Sequence, residues 1–137
     1  MLHLQKLAVG ISDRAHLAAV QAERAAAHPP LRHLTRHVPK RAPEILAGGS
    51  LYWVIAGMMS VRQRIVAIAA TRREDGSAAC AITLDPTLFH VAARPVRAFQ
   101  GWRYLAPEQA PPDLAEGGED AALPPALAEA LRALALL

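Results

Sequence analysis

Arg62 and Arg64, in "SVRQRI", place two guanidiniums one residue apart. Side chains alternate along a strand, so these two would share one face while Val61, Gln63 and Ile65 share the other. The two guanidiniums would stand roughly 7 Å apart along the strand. That spacing suits two neighbouring phosphates, or one carboxylate held from two sides. A second set lies in "FQGWRYL". The chain has six aromatic residues, and five of them fall in this run or in "LYW". As an extended segment over residues 99–105, Gln100, Trp102 and Tyr104 line one face, and Gly101 permits a close approach or a bulge. Bases stack on such aromatic faces with about 1–3 kcal/mol each, and Gln100 would add an edge contact. The competing role is that of large core plugs whose N–H and O–H are tied internally. For Trp53, beside Val54 and Ile55, the core role is expected.

Charge supports an anionic partner. Residues 1–105 carry fourteen Lys/Arg and six Asp/Glu, while residues 106–137 carry one Arg and six acids. Within residues 28–73, Arg32, Arg36, Lys40, Arg41, Arg62, Arg64, Arg72 and Arg73 face a single acid, Glu44. Such concentration speaks about partners, not fold. Its alternative explanation is that the acidic segment 106–122 folds back over the basic one.

Other chemistry is thinner. Asp85, in "TLDP", either caps a turn before its proline or acts as a general base. His33 and His37 have the four-residue spacing of two metal ligands on a helix, but Arg32 and Arg36 beside them repel a cation, so no metal is expected. Cys80 is alone in an apolar run and reads as a buried thiol. There is no GxSxG, phosphate loop, CxxC pair or GxGxxG, and no cofactor is expected.

The elements that must position these residues follow from pattern and punctuation. Residues 2–9 read as a strand, and Ser12 as the N-cap of an alanine-rich helix over 13–27 that stops at Pro29-Pro30. Residues 31–38 fit strand or helix. "PEILAGG" reads as a helical turn closed by Gly48-Gly49, and "SLYWVIAGM" and "SVRQRIVAIAAT" as successive strands. Asp75-Gly76 marks a hairpin into "SAACAITLD", which Pro86 ends. "FHVAARPVRAF" and "FQGWRYL" add extended segments. Residues 106–122 read as an irregular acidic connection, and 124–136 as a C-terminal helix with Leu127, Leu131 and Leu134 in a stripe. The uncharged stretch 45–61 is just long enough for a bilayer, but Gly48-Gly49-Ser50 splits it. The expectation is a single α+β domain over residues 1–137. Its small bent or barrel-like sheet, mixed or antiparallel, would carry an N-terminal and a C-terminal helix. A cytoplasmic protein without membrane contact is expected, as a monomer or homodimer.

At "GGSLYWVIAG", "VRQRI", "LDP" and "FQGWRYL…APPDL" the chain resembles, over nearly its full length, a bacterial family catalogued as a domain of unknown function. That resemblance implies no activity and no catalytic residues. More loosely, a short β-rich domain with a basic strand and a tryptophan motif is similar to pseudouridine-synthase-associated barrels, which implies binding of RNA or modified bases. Together these readings predict a small binding module for RNA or another anionic nucleotide ligand. Arg62, Arg64 and Trp102 would meet at one hollow, with Gln100 and Tyr104 beside them and Arg32, Arg36, Lys40 and Arg41 extending the field. The alternatives are a small enzyme acting on an anionic metabolite, with Asp85 or a histidine moving protons, and a non-catalytic oligomeric partner joined through the leucine stripe.

Overall fold

A computed structural model describes residues 1–114. The expected helix at 124–136, and the connection beyond residue 114, lie outside the described residues. The order of elements is β1 (His3–Leu7), α1 (Arg14–Ala27), β2 (Arg32–Thr35), α2 (Ala42–Leu46), β3 (Ser50–Ile55), β4 (Met58–Arg72), β5 (Ala78–Leu84), β6 (Phe89–Pro95) and β7 (Trp102–Leu105). A 3-10 turn, Pro107–Gln109, follows.

Local chemistry sets most boundaries. Asp13, not Ser12, caps α1: its carboxylate accepts the His16 N–H at 2.7 Å, while the Ser12 N–H donates to His16 Nδ1. A carboxylate binds an orphan helix N–H more strongly than a hydroxyl does, which explains the one-residue shift. Gly49 closes α2 where a Cβ would collide with the carbonyls of Leu2 and Ile45. β3 and β4 join through Ala56-Gly57, both at positive φ (50° and 80°), the geometry of a two-residue hairpin. The uncharged stretch at 45–61 is thus divided among α2, β3 and the start of β4, and no helix of the described residues is long and apolar enough to cross a membrane.

The seven strands form one open mixed sheet in the order β2-β5-β4-β3-β1-β7, with β6 also paired to β4. β1 and β3 are parallel, and every other ladder is antiparallel. β4 is the spine. β6 pairs with its first part and β5 with the remainder, and the bond from Asp85 N–H to the Arg64 carbonyl bridges the two. β3 takes the opposite edge as far as Arg64, and beyond it, among the described residues, no strand pairs with that edge of residues 66–72. Register shifts at Ser60 and Val66 bulge β4 and bend the sheet. The sheet curls without closing. No β2–β7 ladder forms among the described residues; instead the loop after β2 reaches β7 through side chains, as Trp102 Nε1 donates to the His37 carbonyl at 2.9 Å. Of the two expected shapes, bent or barrel-like, the open mixed sheet takes the bent one and does not close.

Register assigns the two faces. Trp102, Lys6, Trp53 and Val61 lie in one cross-strand row, with Tyr104, Leu4, Leu51 and Gln63 in the next. This face meets α1 through Leu17 in the larger core cluster. On the other face a row runs Arg103, Gln5, Tyr52, Arg62 and Phe89. There Tyr52, Val54, Met59, Val91 and Leu105 form a second cluster, against which Phe99 and Ala110 pack. Residues 106–114 cross this face as a strap, held by the bond from Ala92 N–H to the Pro112 carbonyl and by a bridge between Val91 and Asp113.

Candidate functional site

The sequence pattern places Arg62 correctly opposite Gln63, but its guanidinium is already engaged. Nε and Nη2 bind the two Asp113 oxygens at 2.7 and 2.6 Å, Nη1 donates to Ser50 Oγ at 3.0 Å, and the group lies 4.3 Å over the Phe89 ring. Hydrogen bonding to Arg62 holds the Asp113 carboxyl below its usual range, and the Arg62 pKa rises in turn. Arg64 shares the face but is exposed, and Ser50 is its cross-strand neighbour.

Trp102 and Tyr104 are on the opposite face from this pair, so the expected common hollow does not form. Both are half-buried and packed on the larger core cluster, meeting edge to face at 5.0 Å. Their polar atoms are tied internally: the indole binds the His37 carbonyl, and the Tyr104 hydroxyl accepts the Arg41 N–H at 3.2 Å. Gln100 falls outside β7, because the positive φ of Gly101 (69°) turns the chain there; it is exposed and does not extend their face. Arg41 pairs with Glu44 at 2.6 Å, and Lys40 is exposed. Asp85 takes its structural alternative, as its carboxylate accepts the Thr87 N–H at 2.9 Å and caps the turn between β5 and β6.

The site the structure does assemble lies between α1 and the sheet. Lys6 from β1 with Ala8 and Val9 just after it, Leu17, Val20, Gln21 and Arg24 from one stripe of α1, Leu31 just before β2 with His33 on it, and Trp53 line a partly open cavity of about 280 Å³. Among the described residues no carboxylate lines it. Arg32 borders it, but alternation along β2 turns Leu31, His33 and Thr35 inward and leaves Arg32 on the exposed side. Arg36 belongs elsewhere, to a shallow groove with His37, Thr71 and Arg72.

The inner wall is a polar network within apolar surroundings. Gln63 is fully buried: its Oε1 accepts from Gln21 Nε2 and Trp53 Nε1, both at 2.8 Å, and its Nε2 donates to Gln21 Oε1 at 2.7 Å and to the Asp85 carbonyl at 3.1 Å. All four hydrogen-bonding positions of that amide are used, which fixes Trp53 and Gln21. His33 stands edge-on to Trp53 at 5.1 Å, and its Nε2 is buried without a partner. Burial, with the positive charges of Lys6, Arg24 and Arg73, lowers the His33 pKa to about 4, so the ring is neutral at neutral pH. Burial also lowers the pKa of Lys6. Two cations in a recess that no described acid lines are an arrangement that a bound polar anion would complete.

A family model described as "Protein of unknown function (DUF1489)" matches residues 4–137. The chain belongs to this family. No curated protein and no solved structure matches it, so the likeness to pseudouridine-synthase-associated barrels gains no support from them. Membership in the DUF1489 family agrees with the motifs "GGSLYWVIAG" and "VRQRI", which the structure places at the α2–β3 junction and on β4.

Pattern reading missed Lys6, Gln21 and Arg24, and took His33 as half of a surface pair. A signal was present for three of these four. Lys6 follows Leu2 and Leu4 at inward positions, and Gln21 follows Leu17 on the buried stripe of α1. His33 alternates with Leu31 and Thr35. Polar residues at inward positions were the signature of the site.

Proposed function

We propose that this protein is a binding module for a small anionic ligand, of nucleotide size or below, seated in the cavity between α1 and the sheet. The observation that carries the reading is that Lys6, Arg24 and His33 line one cavity that no described carboxylate lines. Cations in a partly desolvated recess hold an anion more strongly than the same charges in open solvent. The volume is at the small end of ligand pockets, roughly 300–1,000 Å³. Titration calorimetry with inorganic phosphate and with nucleoside monophosphates tests the reading. Arg24→Gln removes an exposed side chain and should weaken binding about tenfold or more, the value of one charge-assisted hydrogen bond. Heatless titrations at low salt would remove the proposal.

A second reading, single-stranded RNA, is favoured by the groove of about 520 Å³ that brings Arg36, His37 and Arg72 together. It requires affinity whose logarithm falls with log salt at a slope of about −0.7 per phosphate contacted. Replacing Arg36 and Arg72 by Ala should flatten that slope, whereas Arg24→Gln should leave it unchanged.

A further inference from the structure

Lysine is scarce in this chain. There are thirteen arginines and only two lysines, Lys6 and Lys40. Lys40 is exposed in the loop after β2. Lys6 is half-buried, lines the cavity, and has Trp53 and Trp102 as its cross-strand neighbours. A chain that otherwise draws its positive charge from arginine does not need lysine at this position for charge alone. What lysine offers and arginine lacks is an amine that can lose its proton and attack an electrophile.

The surroundings favour that neutral form. The Lys6 ammonium meets no described carboxylate in the cavity, and Arg24 on the facing helix adds a second positive charge. Burial shifts its pKa in the direction this chemistry needs. His33, on the same cavity wall, keeps a neutral ring at neutral pH, so it adds no negative charge that would hold the Lys6 proton.

We propose that Lys6 is the covalent docking point for a small carbonyl compound bearing a carboxylate or phosphate, with Arg24 holding the anionic group. The proposal rests on the reading of the cavity as an anion site. The Lys6 nitrogen lone pair forms a bond to the carbonyl carbon, and the carbonyl π pair moves to oxygen. The resulting carbinolamine breaks its C–O bond, and the oxygen departs as water with the two protons the amine gives up. Solvent water carries protons between nitrogen and oxygen. The product is an imine, and nothing is oxidised or reduced.

The test uses the full chain with 2-oxobutanoate, and separately with pyridoxal phosphate, each followed by borohydride and peptide mass mapping. The expected result is a reduced adduct on the Lys6 peptide that forms faster than any on Lys40, because the cavity positions the carbonyl compound against the Lys6 amine. Lys40→Arg should retain the adduct and Lys6→Arg should abolish it, with thermal melting confirming that both fold. Inorganic phosphate should compete with labelling. Equal labelling of Lys40 and Lys6 overturns the proposal. Phosphate binding without any Lys6 adduct overturns the covalent step and leaves the anion site standing. An adduct that phosphate does not slow supports the amine and removes the anion reading beneath it. Absence of both overturns both.

Discussion

The two faces of the sheet treat positive charge in opposite ways. On the strap side, Arg62 is met at both terminal nitrogens and Nε by Asp113 and Ser50, and its plane is covered by Phe89. On the α1 side, Lys6 and Arg24 line a cavity with no described acid, near a histidine nitrogen that no described residue satisfies. Both faces are basic in sequence, but among the described residues only the strap side pairs its cation with an acid at the site compared. Charge density alone therefore does not locate a ligand; the distinguishing feature is whether the chain has already neutralised the charge.

The comparison can be broken most forcefully at Gln63. Gln63→Leu keeps the volume but strands the Trp53 N–H and the Gln21 amide in the interior, and should lower unfolding free energy by about 3–4 kcal/mol, measured by urea denaturation. A loss under 1 kcal/mol would mean that the network is not what shapes the α1 face.

Acid sharpens the contrast next. In the unfolded chain His33 takes up a proton near its ordinary value of 6.5, whereas in the folded protein it does so only near 4. Unfolding thus binds a proton within that window. The stabilising contribution is complete above pH 6.5, is lost as pH falls, and levels off below about 4. Its size is about 2–3 kcal/mol. His3 is lowered as well, so the measurement is the difference between wild type and His33→Leu, whose stability should vary less across the window. The Arg62–Asp113 pair contributes with the same sign but lower on the scale, since a depressed carboxyl loses its stabilisation only as pH falls through its folded value.

The smallest effect belongs to the strap. Asp113→Asn breaks a pair that is partly exposed, 22% and 45% at its two side chains, and should cost about 1 kcal/mol or less by thermal melting. It should leave phosphate affinity unchanged. A new, tighter phosphate site in this variant would show that the strap side is a masked anion site and would end the contrast between the faces.

Much of the architecture was legible in the residues. The strand at "SLYWVIAG", the hairpin at Asp75-Gly76 and the partition of Arg62 and Arg64 from Gln63 all follow from alternation and turn chemistry, and the structure reproduces them. What alternation cannot supply is the bulge, because one extra residue reverses the pattern without a clear compositional mark. The shifts at Ser60 and Val66 therefore went unread: a bent sheet was expected, but not where it bends or that the bend brings His37 to Trp102. The site was missed for a related reason: its polar groups come from β1, α1 and β2, each contributing one or two residues that are unremarkable alone. The basic run at residues 28–73 drew attention to charge that the structure largely leaves exposed or neutralises internally.

One edge of β4 at residues 66–72, with which no described strand pairs, has a consequence beyond ligand chemistry. It lies beside apolar side chains, with Val66 57% exposed, and an edge left unpaired is a template on which another extended chain can add. Arg64 stands at one end of it and Arg72 with Arg73 at the other. Two molecules approaching edge to edge bring these cations together, so the arginines act as gatekeepers against fibrillar self-assembly.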